Sequence, residues 1–342
     1  MVIDGHQDIA FNSVLLHRDF LKSALQSRFH SPVDERNGSR TVGLPDLIRG
    51  NVRIVFATIW ALPCLPGVVE VPCYNTPREA YDLARQQLDY YKGLASAGHI
   101  TLIKTRNDLK SVIESGGVGF VLLMEGADPV MSPEGVHDWY LDGLRILAPS
   151  WRATRYAGGT RMPGPLTEAG RELMTELDRT HLILDVSHMT DEGFFEALDR
   201  FHGTVIASHS NCRAFVPTDR MLSDDMIRAL ISRDGVIGAV FYNAFLLNGW
   251  KQATSSKSEV TLGHVMKQIQ HICEIAGNPR HVAIGSDLDG GFGVEAAPAE
   301  IDTVSDLSKL GDSLSQQGFS DTEVRGAMHG NWLRILERAL PA

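Results

Sequence analysis

Val118-Gly119-Phe120-Val121-Leu122-Leu123-Met124-Glu125 is an unbroken apolar run that ends in a carboxylate. Its length and branched side chains suit a strand, and the lack of polar alternation predicts that both faces are covered. Strands of that kind sit in parallel sheets flanked by helices. Working outward, similar runs recur downstream at Gly143–Trp151, Leu182–His188, Thr204–His209, Gly235–Tyr242 and His281–Asp287, and upstream at Met1–Asp8 and Val52–Ala61. Longer stretches of helical periodicity separate them. Eight such runs in a chain of 342 residues predict an α/β fold of the (β/α)8 TIM-barrel type.

Local signals agree with that alternation. Ser223-Asp224-Asp225 opens an apolar-periodic stretch that stops at Gly235, the pattern of an N-cap, an acidic first turn and a terminal glycine. Ser320-Asp321-Thr322-Glu323 fits a capping box for the last helix. No Pro/Gly/Ser-rich linker divides the chain, so residues 1–342 are expected to form one domain. The least regular stretches, roughly 16–45 and 62–77, are expected to be loop insertions over one end of the barrel.

Composition narrows the function. Lys+Arg 32 against Asp+Glu 42 gives a formal net charge of -10 with no basic run, which argues against nucleic acid or an anionic membrane as a partner. The four cysteines, Cys64, Cys73, Cys212 and Cys273, lack C-x-x-C spacing and are expected to be free thiols in a reducing compartment. With no signal-like start and no apolar stretch long enough to span a bilayer, the expected location is the cytoplasm. A homodimer is expected from the habit of barrel enzymes to associate symmetrically.

In such barrels the chemistry gathers at the carboxyl ends of the strands. There the sequence places His6 and Asp8, two apart and so on one face of the first strand, then Glu125, His188, His209 and Asp287 at later strand ends. Each residue alone also fits a blander role: H-x-D a satisfied polar network, Glu125 a buried partner for a cation, either histidine a core residue. Several imidazoles and carboxylates converging on one end suit divalent zinc, which takes nitrogen and oxygen ligands. Two ions sharing a carboxylate would activate water and polarise a carbonyl for amide or ester hydrolysis. The remaining histidines fall in loops, helices or strand beginnings, where surface or structural roles suffice.

The motifs Asp4-Gly5-His6-Gln7-Asp8, Met124-Glu125-Gly126, Asp185-Val186-Ser187-His188, Ala207-Ser208-His209-Ser210, Arg220-Met221-Leu222-Ser223-Asp224, Gly285-Ser286-Asp287-Leu288-Asp289-Gly290 and Gly330-Asn331-Trp332 follow one another along nearly the whole chain. In this order they resemble the renal or membrane dipeptidase family, peptidase family M19, of the metal-dependent amidohydrolase superfamily. The resemblance implies a hydrolase with two zinc ions: His6 and Asp8 on one, His188 and His209 on the other, Glu125 bridging. It implies that Arg220 holds a substrate carboxylate, a task suited to a planar, permanently charged group. Asp287 would be the acid/base residue, and Asn331 would belong to the substrate site. The implied substrate is a dipeptide or a similar small amide with a free carboxylate.

One departure stands out. Where the family's fourth strand normally ends in Thr-His, this chain reads Gly143-Leu144-Arg145-Ile146-Leu147-Ala148-Pro149-Ser150-Trp151, which puts Trp151 at the substrate-contacting histidine. Indole offers one donor and far more bulk than imidazole. Met221 also stands where the family often has asparagine. Two alternatives therefore stay open: an amidohydrolase with another small amide or ester substrate, or a weakly active paralogue that only binds.

Overall fold

The structure, a computed structural model, describes residues 1–30, 38–65 and 71–342. All of the expected apolar runs are strands: β1 (Val2–Gln7), β2 (Val52–Trp60), β3 (Gly119–Glu125), β4 (Leu144–Ala148), β5 (Ile183–Asp185), β6 (Val205–Ile206), β7 (Ile237–Ala239) and β8 (Val282–Ile284). They hydrogen-bond in the order β7-β8-β1-β2-β3-β4-β5-β6. Ala207, directly after β6, pairs in parallel with Ile237 of β7. With helices in the crossovers, the fold class is a (β/α)8 barrel of the TIM type.

By compactness the chain divides into two units, Met1–Ile9, Asp19–Val55 and Ala207–Leu336 forming one, and Ala10–Arg18, Phe56–Ile206 and Glu337–Ala342 the other. The first unit carries β1, the beginning of β2, β7 and β8. Its parallel register pairs Asp4 with Ile284 and Ile237 with Val282. Three glycines, in β1, in β7 and just past β8, crowd one carbonyl: a Cβ on Gly5 would lie 2.6 Å from Ser208 O, and one on Gly238 or Gly285 would overlap the same oxygen. Only hydrogen fits there, so strand spacing in this unit is set by backbone against backbone. The helix Asp224–Ser232 starts where expected, Ser223 Oγ accepting from Met226 N at 3.2 Å. Ser320 and Glu323 form the expected capping box, but the segment they open breaks into a helix Asp321–Arg325, a π turn Gly326–Gly330 and a helix Asn331–Ala339.

The second unit carries the rest of β2 with β3 to β6. β3 is buried along its whole length, as its apolar run requires, and pairs Glu125 with Ala148 of β4. Sequence reasoning missed the short strand Thr101–Leu102 beside β3 and an antiparallel pair, Ala157–Gly159 with Met162–Leu166, after β4. The helix Pro77–Ser96 follows β2, opened by a capping box between Thr76 and Glu79. The loop joining them brings a correction, because Cys64 and Cys73 form a disulfide where free thiols were expected. The reason is tertiary: Cys64 N donates to Tyr74 O and Tyr74 N to Leu62 O, each at 2.9 Å, folding the loop so that the two Cα atoms come within 4.9 Å. Cys212 and Cys273 are free, and the cysteine argument for a reducing compartment falls.

The irregular stretch 16–45 holds a helix, Ala24–His30, and the start of another, Leu44–Arg49. Residues 31–37 of it, and 66–70 of the stretch 62–77, lie outside the described residues. Among the described residues no helix is long and apolar enough to cross a membrane.

Candidate metal centre

In the first unit His6 lies in β1 and Asp8 just past it, His209 and Asp287 stand a few residues past β6 and β8, and Arg220 stands in the loop before the helix Asp224–Ser232; all are buried. His6 Nε2 lies 3.8 Å from Asp8 Oδ1 and 3.9 Å from Asp287 Oδ1. One donor atom from each of these three residues falls within 4.8 Å of the others, the spacing of side chains that can share a cation. The His209 ring stacks on that of His6, centroids 3.6 Å apart and planes at 27°. Such close stacking follows from the glycine packing, since Gly5 precedes His6 and the Ser208 carbonyl precedes His209.

Electrostatics in this group favour a cation. Burial, with the Arg220 charge as a second cause, pushes His6 down to about 3, so its imidazole is neutral and fit to ligate. Burial raises Asp287 well above the usual carboxylate range, the nearby Asp8 carboxylate adds to the rise, and Arg220 opposes it. Two like charges buried side by side are what a divalent ion would relieve. Asp287 also holds a left-handed backbone, φ 60°, with its N–H donating to His6 O at 3.3 Å. Arg220 donates to His209 O at 2.7 Å and Ser210 Oγ at 3.2 Å, which fixes its guanidinium beside the histidine.

Behind these residues is a support that motif spacing alone did not rank. Asp4 accepts from Ser286 N and Gln7 Nε2, each at 2.7 Å, and so ties the end of β1 to the turn carrying Asp287. Ser208 Oγ sits 2.8 Å from His209 Nδ1, a contact that fixes the orientation of the ring.

In the second unit Glu125 ends β3, and His188 follows β5. Glu125 Oε1 and His188 Nε2 lie 2.9 Å apart. Thr160 Oγ1 meets His188 Nδ1 at 3.0 Å, the same hydroxyl-to-Nδ1 arrangement that Ser208 gives His209. Trp151 stands just past β4, its ring centroid 6.3 Å from that of His188. Asp185 holds the approach to His188 by accepting from Ser187 Oγ at 2.6 Å and Ser187 N at 3.1 Å. Ser208 directly precedes His209, which is a readable signal, whereas Thr160 lies 28 residues from His188 and leaves none.

Asn331, expected in the substrate site, donates its Nδ2 to Pro279 O at 2.9 Å and Val282 O at 2.7 Å, at the beginning of β8 and not at the end that leads to Asp287. The amide ties the last helix to the strand.

Comparison with known proteins matches this description. The model of the membrane dipeptidase family (peptidase family M19) matches residues 1–340. An uncharacterized protein in the pqqA 5' region of Klebsiella pneumoniae is 30% identical over 276 residues, 77% of this chain and 98% of its own length. An uncharacterized dipeptidase of Schizosaccharomyces pombe is 28% identical over 98% of this chain and 80% of its own. Among solved structures, a metallopeptidase from Rhodobacter sphaeroides liganded with a phosphinate mimic of the dipeptide L-Ala-D-Ala is 25% identical, with a TM-score of 0.82 over 99% of both chains. A dipeptidase of metallopeptidase family M19 is 26% identical with a TM-score of 0.81, covering 100% of this chain and 99% of its own. With its barrel strands, its motifs and its buried imidazole and carboxylate groups all agreeing, the chain belongs to the membrane dipeptidase family, the metallopeptidases of family M19.

Proposed function

We propose that this protein is a binuclear zinc dipeptidase that hydrolyses a short peptide, or a related amide, bearing a free carboxylate. The observation that carries the reading is the buried cluster of donor atoms from His6, Asp8 and Asp287 around a neutral imidazole. In this reading His6 and Asp8 hold one ion, His188 and His209 the other, and Glu125 serves both. When bound, the metal pair supplies a hydrolytic nucleophile at neutral pH and polarises the scissile carbonyl. Ser208 and Thr160 keep the His209 and His188 rings turned so that Nε2 does the ligating. Asp287, on its fixed left-handed turn, takes up a proton and returns it to the leaving amine. Arg220, already aimed by two hydrogen bonds, pairs with the substrate carboxylate.

Support for a dipeptide-like substrate comes from the Rhodobacter sphaeroides relative, whose ligand mimics one. Trp151 favours a second reading, a small amide substrate other than ordinary dipeptides, because an indole beside His188 replaces a smaller polar donor. Elemental analysis after growth with zinc, joined to hydrolysis of a dipeptide panel, tests both readings. About two ions per chain and turnover of dipeptides are expected. Well under one ion per chain would remove the metal centre, and full metal without dipeptide turnover would favour the second reading.

A further inference from the structure

The mechanism leaves unused an aromatic wall in the second unit. Trp60, the last residue of β2, packs its ring edge-on against Trp151, centroids 4.9 Å apart at 63°, and against Phe11 at 4.5 Å. Trp151 in turn leads to His188. Both indoles are only partly buried, resting on a cluster of Phe11, Leu15, Ala61, Leu62, Ala80 and Leu83.

The wall is held firmly. The Gln87 side chain accepts from Trp60 N at 3.0 Å and donates to Trp60 O, and Gln87 itself is fully buried. Cys73 of the disulfide packs on the same cluster. A cation, Arg152, lies over the Trp151 ring at 5.8 Å and adds a cation–π contact. Trp60 Nε1 is buried, and no described residue accepts from it. Indole is a donor only, so apart from its N–H groups this surface is apolar.

Resting on the dipeptidase reading, we infer that Trp60 is a specificity-determining residue: with Trp151 it forms a wall that selects substrates carrying a flat aromatic side chain. Edge and face contacts between rings reward such a side chain over a methyl group, whereas the carboxylate and amide of the substrate are the same in both cases. The wall therefore discriminates through binding, and its signature is in KM and inhibitor affinity more than in kcat.

The test compares two phosphinate dipeptide mimics, one with a benzyl and one with a methyl side chain, as inhibitors of the zinc-loaded protein. The benzyl mimic is expected to bind about tenfold tighter than the methyl one, as one well-formed aromatic contact gives. Trp60→Leu should reduce that ratio to within about threefold, and Trp60→Phe, which keeps a ring, should retain most of it. Metal content and circular dichroism of both variants check that they fold. A wild-type ratio near one, or an unchanged ratio in Trp60→Leu, overturns the role of Trp60 while leaving the dipeptidase reading in place. Failure of either mimic to bind fully loaded wild type overturns both.

Discussion

The metal-ligand candidates of the first unit and those of the second are positioned by different means. In the first, three glycines press three strands onto the Ser208 carbonyl, and the His6 and His209 rings stack as a consequence. In the second, Glu125 and His188 are held by side chains: the Thr160 hydroxyl, the Asp185–Ser187 pair and the neighbouring Trp151. Backbone-set geometry admits almost no substitution, because interiors are close-packed and strands cannot yield locally. Geometry set by side chains can be altered one contact at a time. The contrast separates ligand candidates placed by backbone contact from ligand candidates placed by side chains.

The sharpest way to break that contrast is to remove a ligand from the adjustable side. Glu125→Gln keeps the shape but offers a weaker ligand, so zinc content should fall at both ions and kcat/KM drop by about a thousandfold or more, in line with several kcal/mol of metal-derived stabilisation. Elemental analysis and dipeptide kinetics measure it; loss of one ion with the other retained would show that Glu125 does not bridge.

Next in size is Trp151→His. If an imidazole there stabilises developing charge, kcat on small dipeptides should rise by roughly 10²-fold, the value of one such donor. Trp151→Ala, which gives space without a donor, should change KM and substrate range instead. Equal kcat for the two variants would place the donor elsewhere. In either variant the Trp60 ring loses its edge contact, so any gain on alanyl substrates should come with a loss on aromatic ones.

A matched pair of glycine substitutions then compares the two regions directly. Gly285→Ala forces a Cβ onto the Ser208 carbonyl, an overpacking cost of about 1–3 kcal/mol or more. Gly126→Ala meets only ordinary contact, 3.6 Å to Trp151 N, and its cost is the left-handed backbone at φ 85°, about 1–2 kcal/mol. Denaturant midpoints should fall further for Gly285→Ala, and its zinc content should fall with them; the reverse order would contradict backbone control of the first group.

The smallest expected effect concerns thiols. Burial, helped by Glu323 and Glu274, pushes Cys273 up to about 12, so the folded protein should be alkylated slowly at pH 8 and faster as pH rises toward that value. Without reductant Cys64 and Cys73 should not react at all. Peptide mass mapping reads each cysteine separately.

The strands were legible because each is a short apolar run bounded by helical periodicity, and β3 shows the clearest case. His6, Asp8, Glu125, His188, His209 and Asp287 stood out through one rule, that ligand types at strand ends converge. What stayed illegible depends on distant chain segments. Cys64 and Cys73 become partners only because the Leu62–Tyr74 backbone pairing folds their loop. Trp60 reads as an ordinary strand residue until Phe11 and Trp151 arrive from elsewhere in the chain. The bonds of Asn331 to the start of β8 were not legible either, because a motif conveys neighbours along the chain and not which end of a strand they meet. The helix expected from Ser320 onward was interrupted by the π turn Gly326–Gly330, which the capping signal does not reveal.

The shared carbonyl at Ser208 also bears on how this protein could be redesigned. Positions 5, 238 and 285 answer to one oxygen, so enlarging any of them conflicts with the same atom, and a second change among the three gives no relief. A directed-evolution library that diversifies them would discard most of its members before selection begins. Codons for Trp60 and Trp151 do not answer to that oxygen, so variation spent there leaves the three-glycine packing intact and probes the proposed wall together with the neighbouring His188.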